Sequence, residues 1–85
     1  MTVNDIYTTA KARGLVRSQR EFSTDILRMA PNYAADTGLA RCSAKALLNL
    51  YKFFAEIGQA DLQAEAFKLL LAAEERVGGI RAVRP

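Results

Sequence analysis

The chain has 85 residues, 51% of them apolar and 25% charged, with five glycines and two prolines. That balance excludes a disordered or fibrous chain and leaves enough apolar matter for one hydrophobic core, with no surplus for a second domain. The net charge of +3 is uneven: residues 1–50 carry seven basic and four acidic side chains, and residues 51–77 carry three and five, so an anionic partner is expected at the N-terminal half.

Residues 2–12 place Val3, Ile6, Tyr7 and Ala10 at three- and four-residue steps, the spacing that aligns side chains on one helical face. Thr2 or Asn4 is the expected cap of this first helix and Gly14 its stop, with Lys11 and Arg13 near the negative end of its dipole. Ser18 followed three residues on by Glu21 has the form of a capping box. A second helix is therefore expected from Ser18, burying Phe22, Ile26 and Leu27 and exposing Gln19, Arg20, Thr24 and Asp25.

Pro31 suits the first position of a new helix, because its fixed backbone angle is helical and its missing N–H is not needed there. A short third helix is expected over 31–37, closed by Gly38. Ser43 caps a fourth helix with Leu47, Leu50, Tyr51 and Phe54 on one face and Gly58 as its stop. These four are expected to pack with Ile6, Tyr7 and Phe22 in a single core. Asp61 is the expected cap of a fifth helix ending near Val77. Leu62, Ala66, Leu69 and Ala73 make one stripe on it, and Phe67, Leu70 and Leu71 widen that stripe.

Residues 78–85 read as a flexible tail. No segment alternates with a two-residue period between hairpin turns, so the expected fold is all-α with about five short helices in a single helical domain over 1–77.

The lone Cys42 can form no internal disulfide, and no basic start leads into an early apolar run, which suggests a cytoplasmic protein. The apolar run 66–73 contains Lys68 and falls far short of the ~20 residues that span a bilayer, so no membrane partner is expected. Histidine is absent. No Cys/His metal site, Gly-rich phosphate loop or nucleophile elbow can be assembled. Asp25 with Asp36, and Glu74 with Glu75, have the form of paired carboxylates but fit solvated helix faces better. The expectation is a non-enzyme with no cofactor and no small-molecule substrate. Arg41 beside Cys42 favours a lowered thiol pKa, whereas burial of a structural thiol would raise it.

The segment 18–23 (SQREFS) follows a glycine-ended helix, a tight turn and a short helix at Pro31 come next, and Ser43 opens the run SAKALLNL. In this order the sequence resembles the Cro/repressor-type (XRE-like) helix-turn-helix, with the motif within residues 18–37 and the likeness extending over residues 3–55. The string RGLVRSQREFS is also similar to that of a group of short proteobacterial proteins carrying such a motif. Four departures are visible: Arg28 stands where the turn usually has a small residue, Ala30 before Pro31 is a poor capping residue, the run from Phe22 to Pro31 is about one residue longer than the common pattern, and the recognition segment 31–37 has one acidic and no basic residue.

The resemblance implies that the helix from Ser18 braces against the DNA backbone, with Gln19 near a phosphate. It further implies that the helix from Pro31 is the recognition helix, presenting Asn32, Tyr33, Ala35 and Asp36 to the major groove. Asn32 suits an adenine edge. Arg17, Arg20, Arg41 and Lys45 would supply phosphate contacts. The resulting expectation is a small DNA-binding transcriptional regulator acting on double-stranded DNA. The alternative, favoured by the acidic, base-free segment 31–37, is a helix-turn-helix-derived module that binds a regulatory protein as an antiactivator or modulator. A two-fold homodimer is expected in either case, through Leu62, Ala66, Phe67, Leu70 and Ala73 of the last helix.

Overall fold

The computed structural model describes residues 1–77, with side-chain surroundings through Ala73. The expected tail 78–85 and the side chains of Glu74 and Glu75 lie outside the described residues. Five helices and no strand are present among them. Helix α1 spans Val3–Ala12, α2 begins as Gln19–Glu21 and continues as a π-helical turn over Phe22–Ile26, and α3 spans Tyr33–Thr37. A 3-10 turn at Leu39–Arg41 leads to α4, Ala44–Glu56, and α5 spans Ala60–Val77.

Local chemistry sets most of these ends. Thr2 caps α1 with a complete capping box: its hydroxyl accepts from the Asp5 N–H at 3.1 Å, and the Asp5 carboxylate accepts from the Thr2 N–H at 2.9 Å. Those bonds hold the Asp5 carboxyl below its ordinary pKa. The chain leaves α1 through Gly14 at φ +75°, with the Leu15 N–H reaching back to the Ala10 carbonyl at 2.9 Å, which satisfies carbonyls the helix end would otherwise orphan. Ser43 caps α4 by accepting from the Ala46 N–H, as its position in the sequence implies.

The core is one cluster. Ile6, Phe22, Ile26, Leu27, Leu50, Phe54 and Leu62 are fully buried within it, and Tyr7 and Tyr51 pack against it half-buried. The expected meeting of α1, α2 and α4 is therefore present, with Tyr7 edge-on to Phe22 at a centroid distance of 5.3 Å. Each large side chain so buried contributes roughly 1.5–3 kcal/mol.

Helix α5 closes this core, packing along α4. That packing corrects the expected dimer stripe: Leu62, Ala66 and Ala73 are buried inside the molecule, and Leu70 is half-buried. The fourth helix supplies a broad apolar face within a short connection, so the stripe is satisfied without a second copy. Asp61 is likewise not the cap, since α5 begins at Ala60. The Asp61 carboxylate instead receives both ends of the Arg13 guanidinium, at 3.1 and 2.6 Å, and Arg13 also donates to Gln59. This pair ties the end of α1 to the start of α5 and pulls the Asp61 pKa down to about 2. No helix of the described residues is long and apolar enough to cross a membrane.

Candidate nucleic-acid interface

The segment from Ser18 to Ser43 is built differently from the rest of the molecule. Ser18 caps α2 by accepting from the Glu21 N–H at 3.2 Å. Only half of the expected box forms, because the Glu21 carboxylate takes the Arg17 N–H at 2.9 Å and the Arg17 guanidinium at 3.2–3.3 Å. After one α-helical turn the chain widens: the Leu27 N–H bonds the Phe22 carbonyl, five residues back. Arg28 then takes φ +57° and the Met29 N–H returns to the Ser23 carbonyl, six residues back. A π turn encloses one residue more than an α turn.

Arg28 occupies the left-handed region that an L-residue enters at a cost of roughly 1–2 kcal/mol. Directly before it, the Leu27 carbonyl accepts from the Asn49 side-chain amide on α4 at 2.9 Å. Asn49 thereby satisfies a carbonyl that the end of α2 leaves free.

Helix α3 starts two residues later than expected. Pro31 and Asn32 form a turn closed by the Tyr33 N–H on the Ala30 carbonyl, and Asn32, at the cap position, makes no side-chain capping bond. The cap comes from another helix. Ser23, fully buried on α2, donates its hydroxyl to the Gln19 carbonyl at 3.0 Å and accepts from the Ala34 N–H at 3.1 Å. At the other side the Tyr33 hydroxyl accepts from the Ser43 N–H at 3.0 Å, fastening α3 to the start of α4. Gly38, at φ +88°, ends α3 and opens the 3-10 turn.

These bonds bring α3 between the N-termini of α2 and α4. Ser18, Gln19 and Arg20 are exposed at the first, and Arg41 and Lys45 at the second. Arg20, Arg41 and Lys45 form no ion pair among the described residues, whereas Arg17 engages Glu21 with its own side chain 88% exposed. Between the two starts, Asn32 at the cap position and Ala35 and Asp36 on α3 are exposed. Tyr33 does not join them freely, because its phenol is half-buried and committed to Ser43. Sequence reasoning missed Ser23, Asn49 and the left-handed role of Arg28. The signal for Ser23 was a small polar residue directly after Phe22 on a face otherwise apolar.

Cys42 is buried and donates to the Leu39 carbonyl at 3.4 Å. Burial raises its thiol above the ordinary value, partly offset by a hydrogen bond from Tyr33. An apolar cavity of about 170 Å³ beside it, lined by Val3, Leu39, Cys42, Leu47 and Leu69 among others, is smaller than cofactor sites usually are. Among the described residues no group of acidic, Cys or His side chains is placed to hold a metal. Comparison with known protein families, curated proteins and solved structures finds no significant match.

Proposed function

We propose that this chain is a small DNA-binding regulator that lays α3 along a duplex and rests the starts of α2 and α4 on flanking phosphates. The observation that carries the reading is the pair of bonds from Ser23 to Ala34 and from Tyr33 to Ser43, which seat α3 between two helix starts bearing exposed cations. Helix N-termini present unpaired N–H groups and a positive dipole end to an anion. Arg17, Arg20, Arg41 and Lys45 add the sequence-independent attraction, and Asn32, at the start of α3, is the side chain best suited to a base edge.

A second reading has its own support. Helix α3 exposes Asp36 and no cation, a composition that suits a protein partner better than a phosphate backbone. A salt titration of binding to random duplex DNA separates the two. Four phosphate contacts give a slope of log affinity against log salt of about −3 to −4, and each alanine at Arg20, Arg41 or Lys45 reduces it by about 1. Asn32→Ala relaxes sequence preference and leaves the slope unchanged. Absence of any salt-dependent binding rules out the DNA reading and leaves the protein-interaction module.

A further inference from the structure

Helix α5 has a second apolar face. Its inward side is settled by the burial of Leu62, Ala66 and Ala73, and on the outer side Ala60, Ala64, Phe67 and Leu71 are exposed in steps of four, three and four residues. That is the spacing of a two-helix seam. The two large members are far from covered, Phe67 at 45% and Leu71 at 46% exposure. Phe67 is nevertheless held in place, its ring 5.8 Å from that of Tyr51 on α4. Beside it a shallow groove is lined by Tyr51, Ala60, Gln63, Ala64 and Phe67.

We propose that this outer face of α5 pairs with the same face of a second copy, the two helices running antiparallel about a two-fold axis between Ala64 and Phe67. The order of side-chain size along the seam is small, small, large, large. Reversing the second helix sets Phe67 of each copy against Ala64 of the other, and Leu71 against Ala60, so each large side chain enters the gap left by a small one. A parallel pair would set large on large and small on small. The flank agrees with the seam: Asp61 and Lys68 lie along the same side of it, seven residues apart, and the antiparallel arrangement faces Asp61 of one copy with Lys68 of the other, twice. Both groups are open to such a contact, at 61% and 71% side-chain exposure, although Asp61 already holds Arg13 and Lys68 reaches Glu65. Flanking charge of this kind sets partner choice and orientation, and an interface built from one patch on both copies closes at two.

This pairing does not depend on what α3 binds. It differs from the stripe expected from sequence, sharing with it only the flanking Phe67 and Leu71.

Sedimentation equilibrium of the full chain tests it over about 1–500 µM, the range in which a small interface passes from separate to paired. A reversible monomer–dimer equilibrium is expected. Ala64→Glu, at an exposed helical position, raises the dissociation constant by about 30-fold or more while melting at low micromolar concentration stays unchanged, a loss of the size seen at interface centres. Orientation is read by mild oxidation: Ala60→Cys and Leu71→Cys chains cross-link with each other when mixed, and neither cross-links with itself. Monomer mass throughout the range overturns the proposal. So does a dimer indifferent to Ala64→Glu, which would use another face, and so does self-linking by Ala60→Cys alone, which would mean a parallel pair.

Discussion

Helices α4 and α5 and the segment from α2 to the 3-10 turn share one apolar core but differ in what fixes their local shape. The first pair is long and regular, and apolar burial along its shared face fastens it, with Leu50, Phe54, Leu62 and Ala66 inaccessible to water. The second region has helices too short to persist alone, a π turn, a left-handed arginine and a 3-10 turn. Phe22, Ile26 and Leu27 anchor it in the core, and side-chain hydrogen bonds of Ser23, Asn49 and Tyr33 fix its irregular turns. A segment whose turns are fixed by a few polar bonds can present an edge that regular packing would bury, but each of those bonds matters more.

The largest test of this contrast is Phe22→Ala. Phe22 anchors the irregular region in the common core, so its truncation costs about 3–5 kcal/mol in chemical denaturation and unfolds the chain as a whole. A midpoint close to that of the parent chain would show that Phe22 does not bear on the core.

Ser23→Ala is expected to cost about 1–3 kcal/mol, because it leaves the Ala34 N–H buried without a partner. Hydrogen exchange should quicken at Ala34 and through residues 33–41 while amides of α4 and α5 keep their protection. Uniform loss of protection would mean that the two regions open together.

Arg28→Gly works in the other direction. Glycine enters the left-handed region without the side-chain clash, so this change stabilises the chain by up to about 1 kcal/mol, measured as a higher denaturation midpoint. An isolated surface turn would show the same gain, so the informative comparison is Arg28→Gly combined with Asn49→Ala, the residue that holds the preceding carbonyl. Coupling between the two changes shows that Asn49 enforces the turn.

The smallest effect concerns the tie from α1 to α5. Asp61 has a folded pKa of about 2, below its value in the unfolded chain. Its stabilising share is therefore complete above about pH 4, the ordinary carboxylate range, and is lost as pH falls through about 2. The melting temperatures of the parent chain and Asp61→Asn should differ near neutral pH and converge over that acid range. A gap as large at pH 2 as at neutral pH would mean that the Arg13 pair is not its source.

Much of the architecture was legible in the residues. Thr2, Ser18 and Ser43 cap helices where their hydroxyls imply, Gly14, Gly38 and Gly58 end them, and the spacing in α1 and α4 marks the buried faces that meet in the core. These features depend on neighbours within a turn or two, and a helix repeats that geometry wherever it occurs. The candidate site was legible only in part: Gln19, Arg20, Asn32, Arg41 and Lys45 could be named from their order along the chain, and all are exposed.

What the sequence by itself determined is the set of helices, the caps of α1, α2 and α4 and much of the core, because helix formation and amphipathic burial follow from local spacing. Three matters were decided only by the tertiary structure. Helix α3 begins at Tyr33 rather than Pro31 because its cap is Ser23, eleven residues back from Ala34. Tyr33 is turned to Ser43 rather than left free on the α3 edge. Helix α5 carries apolar residues on two sides, and only its packing on α4 selects Leu62, Ala66 and Ala73 as the inner side and leaves Phe67 and Leu71 outside. In each case the deciding partner is distant in sequence, and hydrophobic spacing along a single helix is silent about which of two apolar faces another helix will cover.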